Sequence, residues 1–319
     1  MQKISVIVPC RDEQAVLADL HARLHAVFEA LPDLDAEFLF VNDGSRDATL
    51  DVARALRRID PRVGIVDLAR GFGKEIAMTA GLDHATGDAV VFIDADLQDP
   101  PEVIAEFVAW WRRGFDVVYG VRTDRGYEPA WKRWAARLFY RHLDRVSRVS
   151  VPQDTGDFRL LSRRAADALR ANRERHRFMK GLFAWIGFEQ KGVPYERPSR
   201  ARGETKFGFG RLWNLALDGI TSMSVSPLRF ALYTGAVSTV LGLGFLLFAL
   251  AGANPVLGAV LFLGGVQLVS LGVLGEYVGR TYHESKQRPL YVEAGFAAPA
   301  TRPAVPYPDS VARPDPTPV

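Results

Sequence analysis

The stretch AVVFIDADLQDP, residues 89–100, places Asp94, Asp96 and Asp99 within six positions directly behind an apolar run. The apolar run has the length and β-branched content of a strand covered on both faces. Carboxylates resist burial and repel one another, so the strand ends either in a solvated acidic turn or at a place built for a cation. Hard oxygen donors at the spacing of Asp94 and Asp96 suit Mg²⁺ or Mn²⁺, which bind one or two carboxylates together with substrate phosphate oxygens. Asp99 has a plainer reading, as a cap for the helix expected to start near Pro100.

The surrounding sequence repeats the same plan. Short runs rich in Val, Ile and Phe occur at 4–8, 37–41, 64–68, 89–93 and 116–119, separated by helix-like stretches at 14–30, 49–59, 74–85 and 101–112. Such alternation predicts an α/β fold, with crossover units on a mostly parallel sheet covered on both faces. Ligands in these sheets bind beyond the carboxyl ends of the strands. The unusual polar clusters fall there: PCRDE at 9–13, NDGS at 42–45 and DADLQD at 94–99. Asp43 can serve a ribose or base, or hold the turn at Gly44; the residues alone leave both open.

Two nucleotide motifs are excluded. In RGFGKE, residues 70–75, the third glycine of a dinucleotide fingerprint would fall at Ile76. A phosphate-binding P-loop would need glycine where Leu68 stands, and Glu75 follows the lysine. Lys74 begins a helix and is either a second positive charge for a phosphate or a solvated side chain.

The chain has 319 residues, 48% of them hydrophobic, with a net charge of +3. It is long enough for a folded core, and its charge does not call for a nucleic-acid partner. Cys10 is the single cysteine, so an internal disulfide and a cysteine-rich metal site are excluded. The opening MQKISVIVPC lacks the features of a signal peptide.

The C-terminal third differs in kind. No charged residue occurs between Arg229 and Glu276. This interval reads as two segments, 230–251 and 255–274, each near the ~20 residues of a bilayer-spanning helix. Basic residues flank the pair and are missing from the connecting loop, which predicts a cytoplasmic-membrane protein with both ends in the cytosol. Amphipathic stretches at 128–148 and 211–223 are candidates for membrane-surface helices. The chain after about 296 is rich in Pro and Ala and is expected to be disordered.

Together VIVPCRDE, VNDGSRDAT, GKEIAMTAGLDHA, FIDADLQDPPE, DTGDFRLLSR, GETKF and VGRTYHESKQRPLY resemble family 2 glycosyltransferases. The likeness is greatest to the polyprenyl-phosphate sugar transferases and covers about residues 3–291. It implies a GT-A catalytic domain over 1–207, a membrane-surface segment at 208–229, a transmembrane hairpin at 230–275 and a cytoplasmic segment at 276–319. It also implies a nucleotide-sugar donor (UDP-glucose favoured), a divalent metal (Mg²⁺ or Mn²⁺), and inverting transfer to a polyprenyl phosphate such as undecaprenyl phosphate. Carried over by motif, Pro9, Glu13 and Asp43 line the nucleoside pocket, Asp94 helps hold the nucleotide-sugar, and Asp96 ligates the metal. Lys74 adds positive charge near the phosphates, and Asp157 faces sugar and acceptor. Arg202 and Lys206 resemble a clamp for the lipid phosphate, and Arg122 and Arg125 after the fifth strand are further phosphate candidates. Hairpins from several copies are also able to assemble into a homo-oligomer.

Two motifs depart from the family pattern. Arg11 and Asp12 stand where the first motif commonly has Tyr and Asn, and Gly71 stands where the phosphate-proximal segment has Asn. Two other classes of function remain for comparison. A processive polysaccharide synthase usually carries Q-x-x-R-W, but Ala130 stands where the Gln belongs. A non-catalytic nucleotide-binding scaffold would have no need of Asp94, Asp96 and Asp157 together.

Overall fold

A computed structural model describes residues 1–123, 155–175, 177–196 and 256–300, with scattered positions between 228 and 244. Within them the chain forms strands β1 (Gln2–Cys10), β2 (Leu34–Asn42), β3 (Val63–Leu68), β4 (Ala89–Phe92) and β5 (Val117–Arg122). These alternate with helices α1 (Leu17–Glu29), α2 (Thr49–Ile59), α3 (Lys74–His84) and α4 (Ile104–Arg112), the last entered through a 3₁₀ turn at Pro101–Val103. Every strand and helix read from hydrophobic periodicity within residues 4–119 is present, with ends displaced by a few residues. Strands β6 (Thr155–Ser162), β7 (Gln190–Tyr195) and β8 (Glu293–Ala297) and helices α5 (Arg163–Ala171), α6 (Met179–Trp185) and α7 (Val256–Ser285) complete the described elements.

The strands form one sheet in the order β7-β5-β6-β4-β1-β2-β3-β8. Its centre, β4-β1-β2-β3, is parallel. Residues alternating along β1 divide the core: Ile4, Val6 and Val8 pack with α1, α2 and α4, while Ile7 packs with α3, α5 and α6. Both faces are therefore covered, which is why the central strands read as continuous apolar runs. The chain order reverses between β1 and β4, and the crevice beyond their carboxyl ends is the place such a sheet offers to a ligand.

Three expectations change. Asp99 does not cap a helix: the turn that follows has no side-chain cap, and Asp99 is fully buried, with its Oδ1 accepting the Tyr195 hydroxyl at 2.5 Å. Helices can begin without such a cap, whereas a buried carboxylate cannot go without a donor. Residues 297–300, expected to lie in a structureless tail, also make backbone pairs. β8 runs antiparallel along the edge of β3 to Ala297, and the Ala300 N–H donates to the Pro61 carbonyl at 2.7 Å. The C-terminal segment thus adds a strand to the first domain's sheet, which division at residue 207 did not anticipate. An open edge is a row of unpaired backbone groups, and β8 satisfies it.

Helix α7 is 30 residues long. Among the described residues no helix is long and apolar enough to cross a membrane; within α7 the side chains at 257–259 and 261–262 lie outside the description. The amphipathic stretches at 128–148 and 211–223, Arg125, Arg202, Lys206 and most of 230–251 also lie outside the described residues.

Candidate active site

The polar strand ends converge at the sheet's carboxyl edge. β1 and β2 run in register, Pro9 opposite Val41 and Cys10 opposite Asn42, and the Asp43 N–H donates to the Cys10 carbonyl at 2.9 Å. Glu13 sits just beyond β1, its N–H donating to Thr49 Oγ1 at 2.8 Å. Pro9, Glu13 and Asp43 are thereby brought together. Cys10 is no nucleophile: burial first, then the Glu13 charge, push its thiol well above the ordinary range.

Asp43 is 3% exposed, and its carboxylate holds a neighbouring loop. Oδ1 accepts the Phe72 N–H at 2.6 Å, and both oxygens accept the Gly73 N–H, at 3.1 and 3.0 Å. The Gly44 turn is instead held by Asn42, whose Oδ1 accepts the Ser45 N–H at 3.2 Å. Gly44 has φ of 63°, and a Cβ there would lie 2.4 Å from the Gly71 nitrogen. Only glycine meets both conditions.

Arg11 reaches the same loop. Its guanidinium lies 3.6 Å from Asp43, and a Cβ at Gly71 would meet Arg11 Nη1 at 2.8 Å. The two departures from the family pattern are therefore one arrangement. The long side chain at position 11 fits because position 71 has none.

Asp94 and Asp157 come from neighbouring, paired segments of the sheet. β4 and β6 are antiparallel, with Val91 opposite Leu160 and Phe92 opposite Arg159. Asp94 follows just after the end of β4, and Asp157 lies in β6 two residues before Arg159. Lys74, from the first turn of α3, fills the space between them, its Nζ 2.6 Å from Asp94 and 2.5 Å from Asp157. Lys74 is thus no isolated solvated side chain, although 41% of it is exposed. Burial works against its charge, but the two carboxylates prevail and hold the ammonium well above its ordinary pKa.

Burial likewise opposes the charged form of Asp157, but Lys74 and Lys180 outweigh it and hold the carboxyl at about 2. Among the described residues Asp157 Oδ1 is buried without a hydrogen-bond partner. An oxygen in that condition is ready for a donor brought by a ligand. Asp96 is partly exposed beside this cluster, and its Oδ1 accepts the Gln98 N–H at 3.2 Å.

The hard carboxylates of Asp94 and Asp96 fit a divalent cation in donor type. No group of three His, Cys, Asp or Glu able to hold a metal occurs among the described residues. An ion there would complete its coordination with substrate phosphate oxygens and water, the usual habit of Mg²⁺.

Several residues at the site escaped the sequence reading. Glu75 follows Lys74; burial and the Asp157 charge raise its carboxyl to about 7, and its Oε2 accepts the Met179 N–H at 2.6 Å. Lys180 lies near Asp157, and burial together with Arg122, Lys74 and Arg159 lowers its pKa. Arg159 is 3% exposed, with its guanidinium 3.7 Å over the Phe183 ring. The alternation in TGDFRL was the available signal, because Asp157 and Arg159 share one face of a strand.

Arg122 is tied into the Asp99 network. Its Nε lies 3.4 Å from the Tyr195 hydroxyl that Asp99 accepts. A Cβ at Gly156 would meet Arg122 Nη2 at 2.7 Å. Asp99 therefore positions an arginine at the site's edge.

Comparison with known proteins gives the family of the chain. The family model described as glycosyl transferase family 2 matches residues 5–170, and the GtrB C-terminal hairpin matches 226–281. A glycosyltransferase of Synechocystis sp. is 45% identical over 300 residues, covering 91% of this chain and 94% of its own. A prophage bactoprenol glucosyl transferase homolog of Escherichia coli is 43% identical, covering 91% and 98%. The bactoprenol glucosyl transferase of Shigella phage SfV is also 43% identical, covering 91% and 97%. With its acidic strand ends on a mostly parallel sheet and a hairpin domain behind it, the chain belongs to glycosyl transferase family 2.

Proposed function

We propose that this protein transfers glucose from UDP-glucose to undecaprenyl phosphate, inverting the anomeric centre, at the cytosolic face of the cytoplasmic membrane. The observation that carries the reading is the pairing of Asp94 and Asp157 around Lys74 at the carboxyl edge of the sheet. The names of the bactoprenol glucosyl transferases support the sugar and acceptor.

In this reading Pro9, Glu13 and Asp43 receive the nucleoside, with Arg11 lying across Gly71 beside them. Asp94 holds the nucleotide-sugar, and Asp96, with Asp94 near it, would hold Mg²⁺ or Mn²⁺. Such an ion supplies Lewis-acid neutralisation of the leaving diphosphate. Lys74 contributes a fixed positive charge at the same place, where preorganised charge acts most strongly.

The acceptor needs little activation. A phosphate monoester has a second pKa of about 6 and is mostly dianionic at pH 7. Asp157, held at about 2, is too weak a base to be needed for proton removal. Its role is to orient substrate and stabilise positive charge developing at the anomeric carbon. A single displacement from the opposite face inverts that carbon.

Residues 230–275 form the membrane hairpin in this reading. Support comes from the uncharged interval between Arg229 and Glu276 and from the hairpin family match. Leu268, Val269 and Leu271 on α7 are 72%, 65% and 61% exposed, an apolar surface that a bilayer would cover. Arg202 and Lys206 then lie in the chain just ahead of the membrane, as candidates for contact with anionic headgroups, with Arg125 a further one.

The test is a panel of nucleotide-sugars given to purified full-length protein with undecaprenyl phosphate, read by the mass of the lipid product. A hexosyl lipid formed from UDP-glucose is the expected result. Another sugar in the product would overturn the donor assignment, and no product with any donor would overturn the function.

A further inference from the structure

Arg177 is 8% exposed, yet among the described residues its Nε and Nη2 have no hydrogen-bond partner, while Nη1 donates to the Asn172 carbonyl at 2.6 Å. A buried guanidinium left with unmet donors is costly, so an unexplained instance points to a ligand. Arg177 lines a pocket of about 210 Å³ together with Gly73, Lys74, Glu75 and Arg175.

The opposite wall is the start of α3. Gly73 caps that helix with φ of 100° and brings no capping side chain; Asp43 takes the Gly73 N–H and the Gly73 carbonyl takes that of Ile76, which leaves the Lys74 and Glu75 amides as the open donors among the described residues. A helix start and a buried arginine with free donors both favour an oxyanion. Glu75, whose carboxyl is raised to about 7, is protonated for much of the time at neutral pH and then adds a donor to the same pocket.

A second pocket, of about 240 Å³, continues the first. The two share Phe72, Ile76 and Arg175, and the second ends at His283 and Leu290 near the carboxyl end of α7. The groove therefore joins the helix of the C-terminal hairpin to the ammonium shared by Asp94 and Asp157. Its walls carry apolar and cationic side chains along the whole length: Phe72, Ile76 and Leu290 with Arg70 and Arg175 toward α7, and Arg175 and Arg177 beside Lys74.

We propose that this groove, closed by Arg177 and the start of α3, binds the phosphate monoester of the prenyl acceptor and delivers it to the Asp94–Lys74–Asp157 cluster. This rests on the function proposed above and assigns the headgroup to residues that are separate from Arg202 and Lys206.

The test is a titration of full-length protein with geranyl phosphate and, separately, inorganic phosphate, without donor, read by calorimetry. Arg177→Gln is expected to weaken geranyl phosphate at least tenfold while leaving UDP affinity within twofold, with Arg177→Lys recovering part of the loss. Ile76→Asp puts a carboxylate on the groove wall without touching the Asn172 contact, and should weaken geranyl phosphate equally. Melting curves identify any variant that fails to fold, in which case Ile76→Asp carries the test. If folded Ile76→Asp or Arg177→Gln binds geranyl phosphate as the native chain does, the assignment is overturned. It is also overturned if inorganic phosphate binds at Arg177 and geranyl phosphate neither binds nor displaces it, since the occupant is then free phosphate. Absence of sugar transfer by the native chain would sink the functional reading, while the titration would still report on the groove.

Discussion

Asp94 and Asp157 share one ammonium, that of Lys74, 2.6 Å from the first and 2.5 Å from the second. The antiparallel pairing of β4 and β6 brings their segments side by side, and the first turn of α3 brings in the cation that both carboxylates hold. Lys74→Met removes that neutralisation and is expected to lower kcat/KM for transfer by about 100-fold or more, the usual scale for a preorganised charge at a reacting centre. Lys74→Arg should retain part of the rate. Steady-state assays with UDP-glucose and undecaprenyl phosphate decide it, and a methionine variant with native rates would exclude the role.

Asp96→Asn should uncouple nucleotide binding from the metal. Native protein is expected to bind UDP more tightly as Mn²⁺ or Mg²⁺ is added, and the variant should respond weakly or not at all. Calorimetry at several metal concentrations measures this. An undiminished response would remove Asp96 from the metal site.

Glu75 makes stability depend on pH with a definite sign. Burial and Asp157 raise its carboxyl from 4.5 to about 7, so the folded chain holds a proton that the unfolded chain releases. That contribution is complete below pH 4.5 and is lost as pH rises through 7. Asp157 has the opposite sign: its contribution is present above its ordinary 3.8 and lost as pH falls through about 2. Glu75→Gln should therefore flatten the fall in melting temperature between pH 5 and 8. The effect at pH 8 is on the order of 3 kcal/mol, from 1.36 kcal/mol per unit. Equal slopes in the two proteins would contradict the assignment.

Gly71→Asn introduces a side chain where Arg11 Nη1 already lies 2.8 Å from the Cβ position. The donor KM is expected to rise several-fold, and Arg11→Ala in the same protein should recover much of the loss. If the double variant is no better than Gly71→Asn alone, the two positions are independent.

Tyr195→Phe removes the hydroxyl that Asp99 accepts at 2.5 Å. Loss of a donor to a buried carboxylate costs about 1–3 kcal/mol. The melting temperature should fall accordingly, and Arg122 should lose its alignment. A helix-capping Asp99 would leave this variant as stable as the native chain.

The parallel centre of the sheet was legible because each of its strands is apolar on both faces and each helix between them has its own period. Thr49–Ile59 was read to the residue. β6 escaped because DTGDFRLLSR carries a catalytic motif within a strand, and β8 because GFAAP, residues 295–299, has the composition of a tail. Its pairing with β3 depends on a partner far away in the chain, which local pattern does not encode.

Sequence by itself determined the fold class, the acidic strand ends and the uncharged interval behind the catalytic domain, because periodicity, motif spacing and charge are local properties. Tertiary structure alone decided that Asp157 faces Asp94 across Lys74, that Asp99 serves Tyr195 and that Arg11 lies over Gly71. It also set Arg177 in a groove leading from α7. Each is a contact between segments distant in the chain, created by strand pairing and helix packing, and the energy that holds it exists only when both segments are in place.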